Sequence, residues 1–345
     1  METRFLPGTT IKVSKICLGT MTYGRQNNEE DGHQQMDYAV ANGINFFDTA
    51  ELYAVPPSPE SQGETERIIG TWFKKTGRRK DIILASKIAG PANFTKHIRE
   101  DLSYTKATID DAIHKNLKRL QTDYMDLYQI HWPERKTNFF GKLGYDYKTS
   151  DVWEENFELV LDALQEHVKA GNIRHVGLSN ETPWGVMKFL NAAGPHRPKM
   201  ITIQNPYSLL NRTFEVGNAE ICHREKFGLL AYSPLAFGTL SGKYLDGKKP
   251  KNARLTLFPH YDRYSSEQSI AAIKCYADLA KKHDMSLPHL ALAFVNDRPF
   301  VTSNIIGATT VAQLKENIES HQIRLSEEIL TEIEAIHKKY PNPAP

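Results

Sequence analysis

Four ionisable side chains of this sequence, Asp48, Tyr53, Lys87 and His131, are of the types that together can move a proton. An ordinary tyrosine has a pKa of about 10, which is too high for acid or base catalysis at neutral pH. An ammonium about 4 Å away would stabilise the phenolate by about 4 kcal/mol at an effective dielectric constant near 20. Lys87 could therefore lower the pKa of Tyr53, and Asp48 would hold the ammonium in place. His131 would orient the substrate oxygen, so the group is suited to protonating an alkoxide that forms as a carbonyl is reduced.

The positions of these residues along the chain matter as much as their types. Asp48, Lys87 and His131 each follow a short apolar run, and the tyrosine lies in the loop after the first. The runs are Ile44-Asn45-Phe46-Phe47, Ile82-Ile83-Leu84-Ala85 and Leu127-Tyr128-Gln129-Ile130. Side chains at successive strand ends meet only if the strands are parallel and end at one face. In an α/β barrel, that face carries the active site.

Each of these residues, taken alone, also has a structural interpretation. Asp48 and Lys87 could form a buried ion pair, and His131 could be a hydrogen-bonded core residue. Their coincidence at three predicted strand ends favours the catalytic interpretation. Asp126 lies five residues before His131, so strand alternation predicts that it points to the opposite face. We therefore expect Asp126 to be a structural carboxylate.

The whole chain alternates between apolar runs and amphipathic patterns. Predicted strands end near Leu18, Asp48, Ser86, His131, Leu178, Gln204, Tyr232 and Ile306. Helical patterns cover residues 29–42, 64–76, 108–120, 153–170, 183–190, 213–226, 267–283 and 311–320, and a last helix begins at Ser326. Eight strand–helix units without a strong linker predict a single α/β domain over residues 1–345, with the (β/α)8 TIM-barrel fold.

Segments outside these units are expected to cover the two ends of the barrel. Arg4–Leu6 and Ile11–Val13 read as an N-terminal β-hairpin over the N-terminal end. Two long loops, Trp132–Asp151 and Pro234–Ser266, are expected to project over the C-terminal face. An open doubly wound sheet is the competing fold. It would need a GxGxxG turn after an early strand, and the sequence contains none.

Composition and motif searches argue against several classes of protein. A net charge of +2 indicates neither a nucleic acid partner nor a charged membrane surface. The three cysteines are far apart, which argues against a disulfide framework and fits a reducing compartment. No HExxH or HxH spacing occurs, so no metal is expected. The N-terminus lacks the apolar segment of a signal peptide, so we expect a cytoplasmic protein.

Other chemistries on the same barrel are disfavoured by the residues at the strand ends. A glycoside hydrolase would need two carboxylates about 5–10 Å apart, and Asp48 is the only carboxylate at a predicted strand end. The segment Gly238–Lys243 resembles a P-loop only superficially, because it has one residue too few between its glycines. The segment Gly177–Glu181 lacks the closing glycine of a nucleophile elbow.

A series of short motifs follows the predicted strand ends in order. They are Gly19-Thr20-Met21, Phe47-Asp48-Thr49-Ala50-Glu51-Leu52-Tyr53, Ala85-Ser86-Lys87, Asp126-Leu127-Tyr128-Gln129-Ile130-His131-Trp132, Gly177-Leu178-Ser179-Asn180, Gln204-Asn205-Pro206-Tyr207, Tyr232-Ser233-Pro234-Leu235 and Ser241-Gly242-Lys243-Tyr244. Over about residues 1 to 337 this series resembles the aldo-keto reductases. Within that family the sequence is most similar to the Tas-like bacterial members and to the branch containing potassium-channel β subunits. The resemblance implies a (β/α)8 barrel that binds NADP(H) across its C-terminal face without a Rossmann motif.

The resemblance also implies catalytic roles. Tyr53 would be the general acid/base, and Lys87 with Asp48 would tune it. His131 would hold the carbonyl of a small substrate, and Trp132 would line the substrate pocket.

Cofactor contacts follow from the resemblance as well. Tyr232 would stack on the nicotinamide, and its carboxamide would be held by Ser179, Asn180 and Gln204. Further contacts would come from Gly19, Thr20, Met21, Ser233, Pro234, Leu235, Gly238, Leu240, Ser241, Lys243, Arg254, Gly307, Thr309, Gln313 and Asn317. Apart from the resemblance, Ser179 and Asn180 could equally form a turn before the helix that begins at Thr182-Pro183.

The sequence departs from the family pattern at two places. After Tyr53 the family continues almost directly into Gly-x-x-Glu, whereas residues 54–62 insert a proline-containing loop here. The Lys-Ser motif that reads the 2′-phosphate in other branches is missing near Thr309. A preference for NADP(H) over NAD(H) therefore rests on Lys243, Arg254 and nearby hydroxyls.

Two functional hypotheses stay open at this point. The first is an NADPH-dependent aldo-keto reductase that reduces aldehydes or ketones by hydride transfer. The second is a cofactor-sensing regulatory subunit with slow turnover. No terminal interaction segment is visible, which favours the enzyme, and the sequence is compatible with a monomer.

Overall fold

The computed structural model describes residues 1–147 and 153–345, and it begins with an antiparallel hairpin. Strands β1 (Thr3–Phe5) and β2 (Lys12–Ser14) form this hairpin. Two side chains that flank its turn, Leu6 and Val13, are fully buried against inward-facing residues of the following strands, Cys17, Phe46, Ala85, Leu127, Leu230 and Ile305. Arg4 also donates to the carbonyl of Val301, the first residue of the last strand. The hairpin therefore closes the N-terminal end of the sheet, as predicted.

The other strands of the described residues close into a barrel of parallel strands. They are β3 (Ile16–Gly19), β4 (Phe46–Asp48), β5 (Ile83–Ile88), β6 (Met125–Ile130), β7 (Ile173–Ser179), β8 (Met200–Pro206), β9 (Gly228–Tyr232) and β10 (Val301–Ile306). Each strand pairs with the next, and β10 closes the barrel by pairing with β3. The predicted (β/α)8 fold is confirmed, and the C-terminal strand ends share one face.

Helices connect the strands on the outside of the barrel. They are α1 (Glu29–Ala41), α2 (Glu64–Thr76), α3 (Lys106–Leu120), α4 (Phe157–Ala170), α5 (Pro183–Ala193), α6 (Asn218–Glu225), α7 (Arg254–Leu257), α8 (Glu267–Lys282), α9 (Leu287–Asn296), α10 (Val311–Glu319) and α11 (Glu327–Lys339). Several begin at a side chain that caps the first turn. Thr182, for example, accepts from the amide of Gly185, and Pro183 follows it in the first turn, as the sequence indicated.

The helix predictions differ from the structure at several places. Helix α4 begins at Phe157 instead of residue 153, and the predicted helix over 213–226 is divided at Gly217 into a short 3-10 turn and α6. Helix α9 was not predicted. It is buried on almost every side, so its sequence lacks the polar stripe by which an amphipathic helix is recognised.

Strand alternation determines which side chains reach the barrel interior. Ala85 and Lys87 of β5 point inward, and Leu84 and Ser86 point outward to the helices. Asp126 also points outward, where its carboxylate accepts hydrogen bonds from Arg79, from Arg174 and from the amide of Leu84. The prediction that Asp126 is a structural carboxylate is confirmed.

The two long connections differ in structure. The first is described from Trp132 to residue 147, and the remainder, 148–152, lies outside the described residues. The second, from Pro234 to Ser266, contains α7 and several 3-10 turns. None of the helices within the described ranges is both long and apolar enough to cross a bilayer.

Candidate active site

The centre of the C-terminal face is a buried ion pair. Asp48 ends β4 and pairs with Ala85 of β5, and Lys87 lies two residues further along β5, so both side chains project inward near the strand ends. The Lys87 ammonium lies 2.7 Å from Asp48 Oδ2 and donates to the carbonyl of Thr49, also at 2.7 Å. Both side chains are almost completely buried. Burial disfavours the ammonium, but the carboxylate outweighs it, and the net pKa of Lys87 is raised.

Two glutamines hold the second oxygen of the Asp48 carboxylate. Gln204 of β8 donates from Nε2 to Asp48 Oδ1 at 2.8 Å, and Gln129 of β6 donates to the same oxygen at 3.3 Å. Both glutamines point into the barrel and are buried. Sequence reasoning named Gln204 for a different contact and missed Gln129. The signal for Gln129 was its inward position in β6, two residues after Leu127.

Tyr53 lies beside the ion pair, in the loop that follows β4. The Lys87 ammonium is 4.9 Å from the centroid of the phenol ring. Burial raises the pKa of Tyr53, and although the Lys87 charge lowers it, the net shift is upward. This direction is opposite to the sequence-based expectation, because burial in the loop outweighs one ammonium that Asp48 partly neutralises. Tyr53 therefore stays protonated at neutral pH and can act as an acid.

His131 follows β6 and faces Tyr53. The two rings are 5.9 Å apart in an edge-on arrangement. Burial lowers the pKa of His131 well below its usual range, and the Lys87 charge lowers it further. The imidazole is therefore neutral near pH 7. Its Nδ1 is buried and has no hydrogen-bond partner within residues 1–147 and 153–345.

A row of polar side chains joins this centre to β9. Tyr232 donates from its hydroxyl to Asn180 Oδ1 at 2.6 Å, and Asn180 Nδ2 donates to the carbonyl of His131 at 2.9 Å. The hydroxyl of Ser179 donates to the carbonyl of Gln204 at 2.8 Å. The structure therefore brings together the residues predicted to hold a nicotinamide. Asn205, which follows Gln204 in β8, points to the other side of the strand, where its Nδ2 donates to the carbonyl of Glu181 at 3.2 Å.

The motif at the end of β3 borders the same centre. Gly19 leaves no room for a side chain, because an added Cβ would lie 2.8 Å from both the Ile305 side chain and the Ile306 carbonyl. Thr20 donates from its hydroxyl to the carbonyl of Asp48 at 2.8 Å. Met21 packs against the cluster that contains Tyr53.

Two of the predicted cofactor-binding residues in the second long connection are cations. Lys243 and Arg254 are both partly buried. Burial lowers the pKa of Lys243, and the charge of Arg254 lowers it further. The Lys243 ammonium lies 5.4 Å from the centroid of the Tyr244 ring, whose hydroxyl accepts from the amide of Leu255, the residue after Arg254. Gly238 provides the space for the ammonium, since an added Cβ would lie 2.9 Å from Lys243 Nζ. Neither cation forms an ion pair with a carboxylate in the part of the chain that the structure describes.

The other predicted cofactor contacts of this connection precede the two cations in the chain. Ser241 donates from its hydroxyl to the carbonyl of Gly238 at 2.8 Å. Leu240 is fully buried, Leu235 packs at the edge of the core, and Ser233 and Pro234 form the turn that leaves β9. A separate cavity of about 290 Å³ lies under the same connection, between Leu245, Leu255 and Ile273. None of the four ionisable residues lines it.

The last group of predicted contacts lies at the N-terminal end of α10. Thr309 donates from its amide to Gln313 Oε1 at 3.0 Å, and Asn317 Nδ2 donates to the carbonyl of Gly307 at 3.1 Å. Asn27 donates to the carbonyl of Thr309 at 2.9 Å, and its own Oδ1 is buried without a partner among the described residues.

An aromatic wall rises from the catalytic centre to the surface. We use this name for His131, Trp132, Phe94, Phe139 and Phe140. Ring centroids are 4.8 Å apart for His131 and Trp132, 5.7 Å for Trp132 and Phe94, and 5.6 Å for Trp132 and Phe140. Trp132 is fully buried, whereas Phe94 and Phe140 are 45% and 40% exposed. The wall therefore extends from the buried catalytic centre to aromatic rings that are exposed to solvent.

One cluster of potential metal ligands occurs among the described residues. It consists of His283, Glu328 and Glu332, beside the C-terminal end of α8 and on α11. Lys282 already lies 2.9 Å from Glu332 and 3.8 Å from Glu328. The cluster is therefore explained as a surface ion-pair network.

Comparison with known proteins agrees with the motif series. The Aldo/keto reductase family profile matches residues 15–338. Protein tas of Escherichia coli strain K12 is 53% identical, with all of both chains aligned. The uncharacterized oxidoreductase YrpG of Bacillus subtilis is 34% identical over 96% of this chain and 94% of its own. An aldo-keto reductase of Schizosaccharomyces pombe, yakc, whose name includes NADP(+), is 26% identical over 94% and 90%. The resemblance to Tas-like members is thereby confirmed.

Proposed function

Because this chain belongs to the aldo/keto reductase family, we propose that it reduces an aldehyde or ketone with NADPH and uses Tyr53 as the general acid. One observation carries the proposal: a buried Lys87–Asp48 ion pair lies against the Tyr53 ring. This arrangement supports a phenol that loses its proton only when a basic oxygen forms next to it. The neutral His131 beside it supplies a second polar group for the same oxygen.

The residues around Tyr53 fit a nicotinamide. Tyr232 offers an aromatic face, and hydrogen bonds link its hydroxyl through Asn180 to Ser179, whose polar side chains suit a carboxamide. The Gln204 amide nitrogen is already bound to Asp48, so its carbonyl side is the part left for a ligand. A reduced nicotinamide held here by these residues would supply the hydride that the carbonyl carbon receives.

Side chains of the protein carry out the proton transfer to the carbonyl oxygen. Tyr53 donates its hydroxyl proton to the carbonyl oxygen, which yields the alcohol and leaves a phenolate. Lys87 stabilises that phenolate, and Asp48 keeps the lysine charged in its buried position. A neutral His131 donates its ring N–H to the same oxygen and orients it. Solvent then returns a proton to Tyr53.

We propose NADPH as the cofactor, in preference to NADH, because two cations of the second long connection could bind its 2′-phosphate. Lys243 and Arg254 are partly buried, and neither pairs with a carboxylate among the described residues. Their mutual repulsion would be relieved by a dianion between them. The relative yakc, whose printed name specifies NADP(+), agrees with this proposal.

Replacing Lys243 by glutamine is expected to raise the dissociation constant for NADPH about 10- to 100-fold, since a charge-assisted hydrogen bond contributes about 1.5–3 kcal/mol. The dissociation constant for NADH, which lacks the 2′-phosphate, should change less. Quenching of intrinsic fluorescence by each nucleotide measures both constants.

Lys251→Gln is the matched control for this prediction. Lys251 is an exposed lysine of the same connection, so its loss changes the net charge equally without touching the cation pair. Equal weakening of NADPH and NADH binding by Lys243→Gln would assign the lysine to a group that both nucleotides share. A similar effect in Lys251→Gln would mean that only the net charge matters.

The aromatic wall favours carbonyl compounds that carry an apolar ring. Phe94 and Phe140 flank Trp132, which is in turn in contact with His131. No charged side chain belongs to this wall, so a substrate would be held by ring contacts and apolar burial. We propose an aryl aldehyde or ketone over a polyhydroxylated one.

Phe140→Ala is expected to lower kcat/KM for benzaldehyde about 3- to 10-fold, because an aromatic pair contributes about 0.5–1.5 kcal/mol beyond burial. Turnover of propionaldehyde should stay near the wild-type value, since this substrate has no ring that could contact Phe140. Leu143→Ala serves as the control, because Leu143 is 65% exposed in the same connection and outside the wall. Equal losses for both aldehydes would argue against a ring-binding role.

The overall proposal is tested by steady-state oxidation of NADPH with a panel of aldehydes and ketones. We expect one alcohol for each NADPH consumed. If NADPH binds tightly but no carbonyl compound in the panel is reduced, the regulatory-subunit alternative is supported instead.

A further inference from the structure

We propose that Glu51 and Arg99 form a clamp that positions Tyr53 against Lys87. Only the expected effect of the clamp on catalysis rests on the proposed function. Its effect on the position of the phenol can be measured without turnover. Glu51 lies two residues before Tyr53, and Arg99 lies in the loop after β5. Neither residue contacts the reacting atoms, so both are positioning residues.

Glu51 ties the tyrosine loop to the strand that carries Lys87. Its amide donates to the carbonyl of Lys87 at 3.2 Å, and its Oε1 accepts from the amide of Ala89 at 2.6 Å. The Glu51 side chain is completely buried. The catalytic lysine itself and Ala89, two residues after it, are thereby bound to one residue of the tyrosine loop. The separation of phenol and ammonium depends on these bonds.

Arg99 makes the burial of the Glu51 carboxylate possible. Its two terminal nitrogens lie 3.0 Å from Oε1 and 2.5 Å from Oε2 of Glu51. Arg99 Nε is 3.5 Å from Asp111 of α3. Burial disfavours the guanidinium, but Glu51 outweighs it, and the net pKa of Arg99 is raised. The guanidinium thus holds both oxygens of the carboxylate and is itself paired with an acidic residue of a helix outside the barrel.

The opposite side of the tyrosine loop is held independently. Gln62 donates to the carbonyl of Glu51 at 2.8 Å, and the amide of Gly63 donates to the carbonyl of Tyr53, also at 2.8 Å. The loop is therefore anchored on both sides, and the clamp supplies the side that faces Lys87. Loosening this side alone should move the phenol without releasing the loop.

The experiment uses Glu51→Gln, which keeps the shape and the acceptor for Ala89 but removes the charge. Arg99→Gln removes the guanidinium, and Arg99→Lys restores a cation without the two-pronged contact. We expect kcat to fall about 10- to 100-fold in the two glutamine variants, because a displacement of about 1 Å can cost about 100-fold. The dissociation constant for NADPH should stay unchanged, and Arg99→Lys should recover part of kcat.

A double-variant cycle separates positioning from a general loss of structure. In the Tyr53→Phe background, Glu51→Gln should lower the residual rate no further, because the residue acts through the phenol. Arg79→Lys is the matched control. Arg79 forms an ion pair with the buried Asp126 at 2.9 Å. This pair lies near the N-terminal ends of β5 and β6, whereas the tyrosine loop lies at the C-terminal end of the barrel. Arg79→Lys should alter stability but not kcat.

A readout without turnover tests the clamp even if no carbonyl compound is reduced. The protein is labelled with ¹³C at the ζ carbon of its tyrosines, and its NMR spectrum is recorded. The signal that is missing from the spectrum of Tyr53→Phe belongs to Tyr53. The clamp predicts that this signal moves in Glu51→Gln and Arg99→Gln, and not in Arg79→Lys. An unmoved signal in both glutamine variants overturns the clamp, whatever the wild-type activity. A moved signal in a protein without turnover supports the clamp and overturns the proposed reaction.

Discussion

Tyr53→Phe is expected to slow carbonyl reduction about 10²- to 10⁴-fold, the range that a positioned general acid contributes. The substitution removes the one proton that the proposed reaction takes from the protein and leaves the ring in place. The Lys87–Asp48 pair does not depend on the phenol hydroxyl for its shortest contact, which is 2.7 Å. Affinity for NADPH should therefore persist, and fluorescence titration together with single-turnover oxidation of NADPH measures both quantities.

The pH profile gives the control for this prediction. Burial raises the pKa of Tyr53 above its ordinary value although Lys87 opposes the shift. The acid form is therefore present throughout the neutral range and is lost only when the pH rises above the raised pKa. We expect kcat/KM for reduction to be flat near pH 7 and to decline only in alkaline solution. The residual activity of Tyr53→Phe should not show that decline. If Tyr53→Phe kept the wild-type rate, Tyr53 would not be the general acid.

The sequence predicted those features that depend on local pattern and on the direction of strands. Asp48 and Lys87 were placed together because each follows an apolar run and parallel strands share one end. Asp126 was assigned to the outer side by alternation alone, and its contacts with Arg79 and Arg174 confirm it. In these cases the period of a strand carries the information, so no distant contact was needed.

Features that depend on burial or on long-range contacts were not predictable in the same way. The pKa of Tyr53 moves upward because its loop is covered, and no sequence pattern gives the depth of burial. Helix α9 has no polar face because other elements surround it. The Glu51–Arg99 contact joins residues 48 positions apart in the chain. Its only local sign was a carboxylate between two apolar residues, Ala50 and Leu52.

Lys87→Met is expected to abolish turnover and to lower the free energy of unfolding by about 3–5 kcal/mol, the cost of leaving a buried charge without its partner. Methionine fills nearly the same volume, so the change removes the ammonium without opening a large cavity. Asp48 would keep only the amide donors of Gln204 and Gln129, at 2.8 and 3.3 Å. Chemical denaturation and single-turnover kinetics measure the two effects.

Adding Asp48→Asn to Lys87→Met separates these two effects. Asparagine carries no charge, so the double variant no longer buries an unpaired carboxylate, and most of the lost free energy of unfolding should return. Turnover should not return, because no cation remains to stabilise the Tyr53 phenolate. If the double variant regained both stability and turnover, the lysine would serve only to neutralise Asp48. If it regained stability alone, the ammonium acts on the phenol, as the 4.9 Å separation between Lys87 Nζ and the Tyr53 ring indicates.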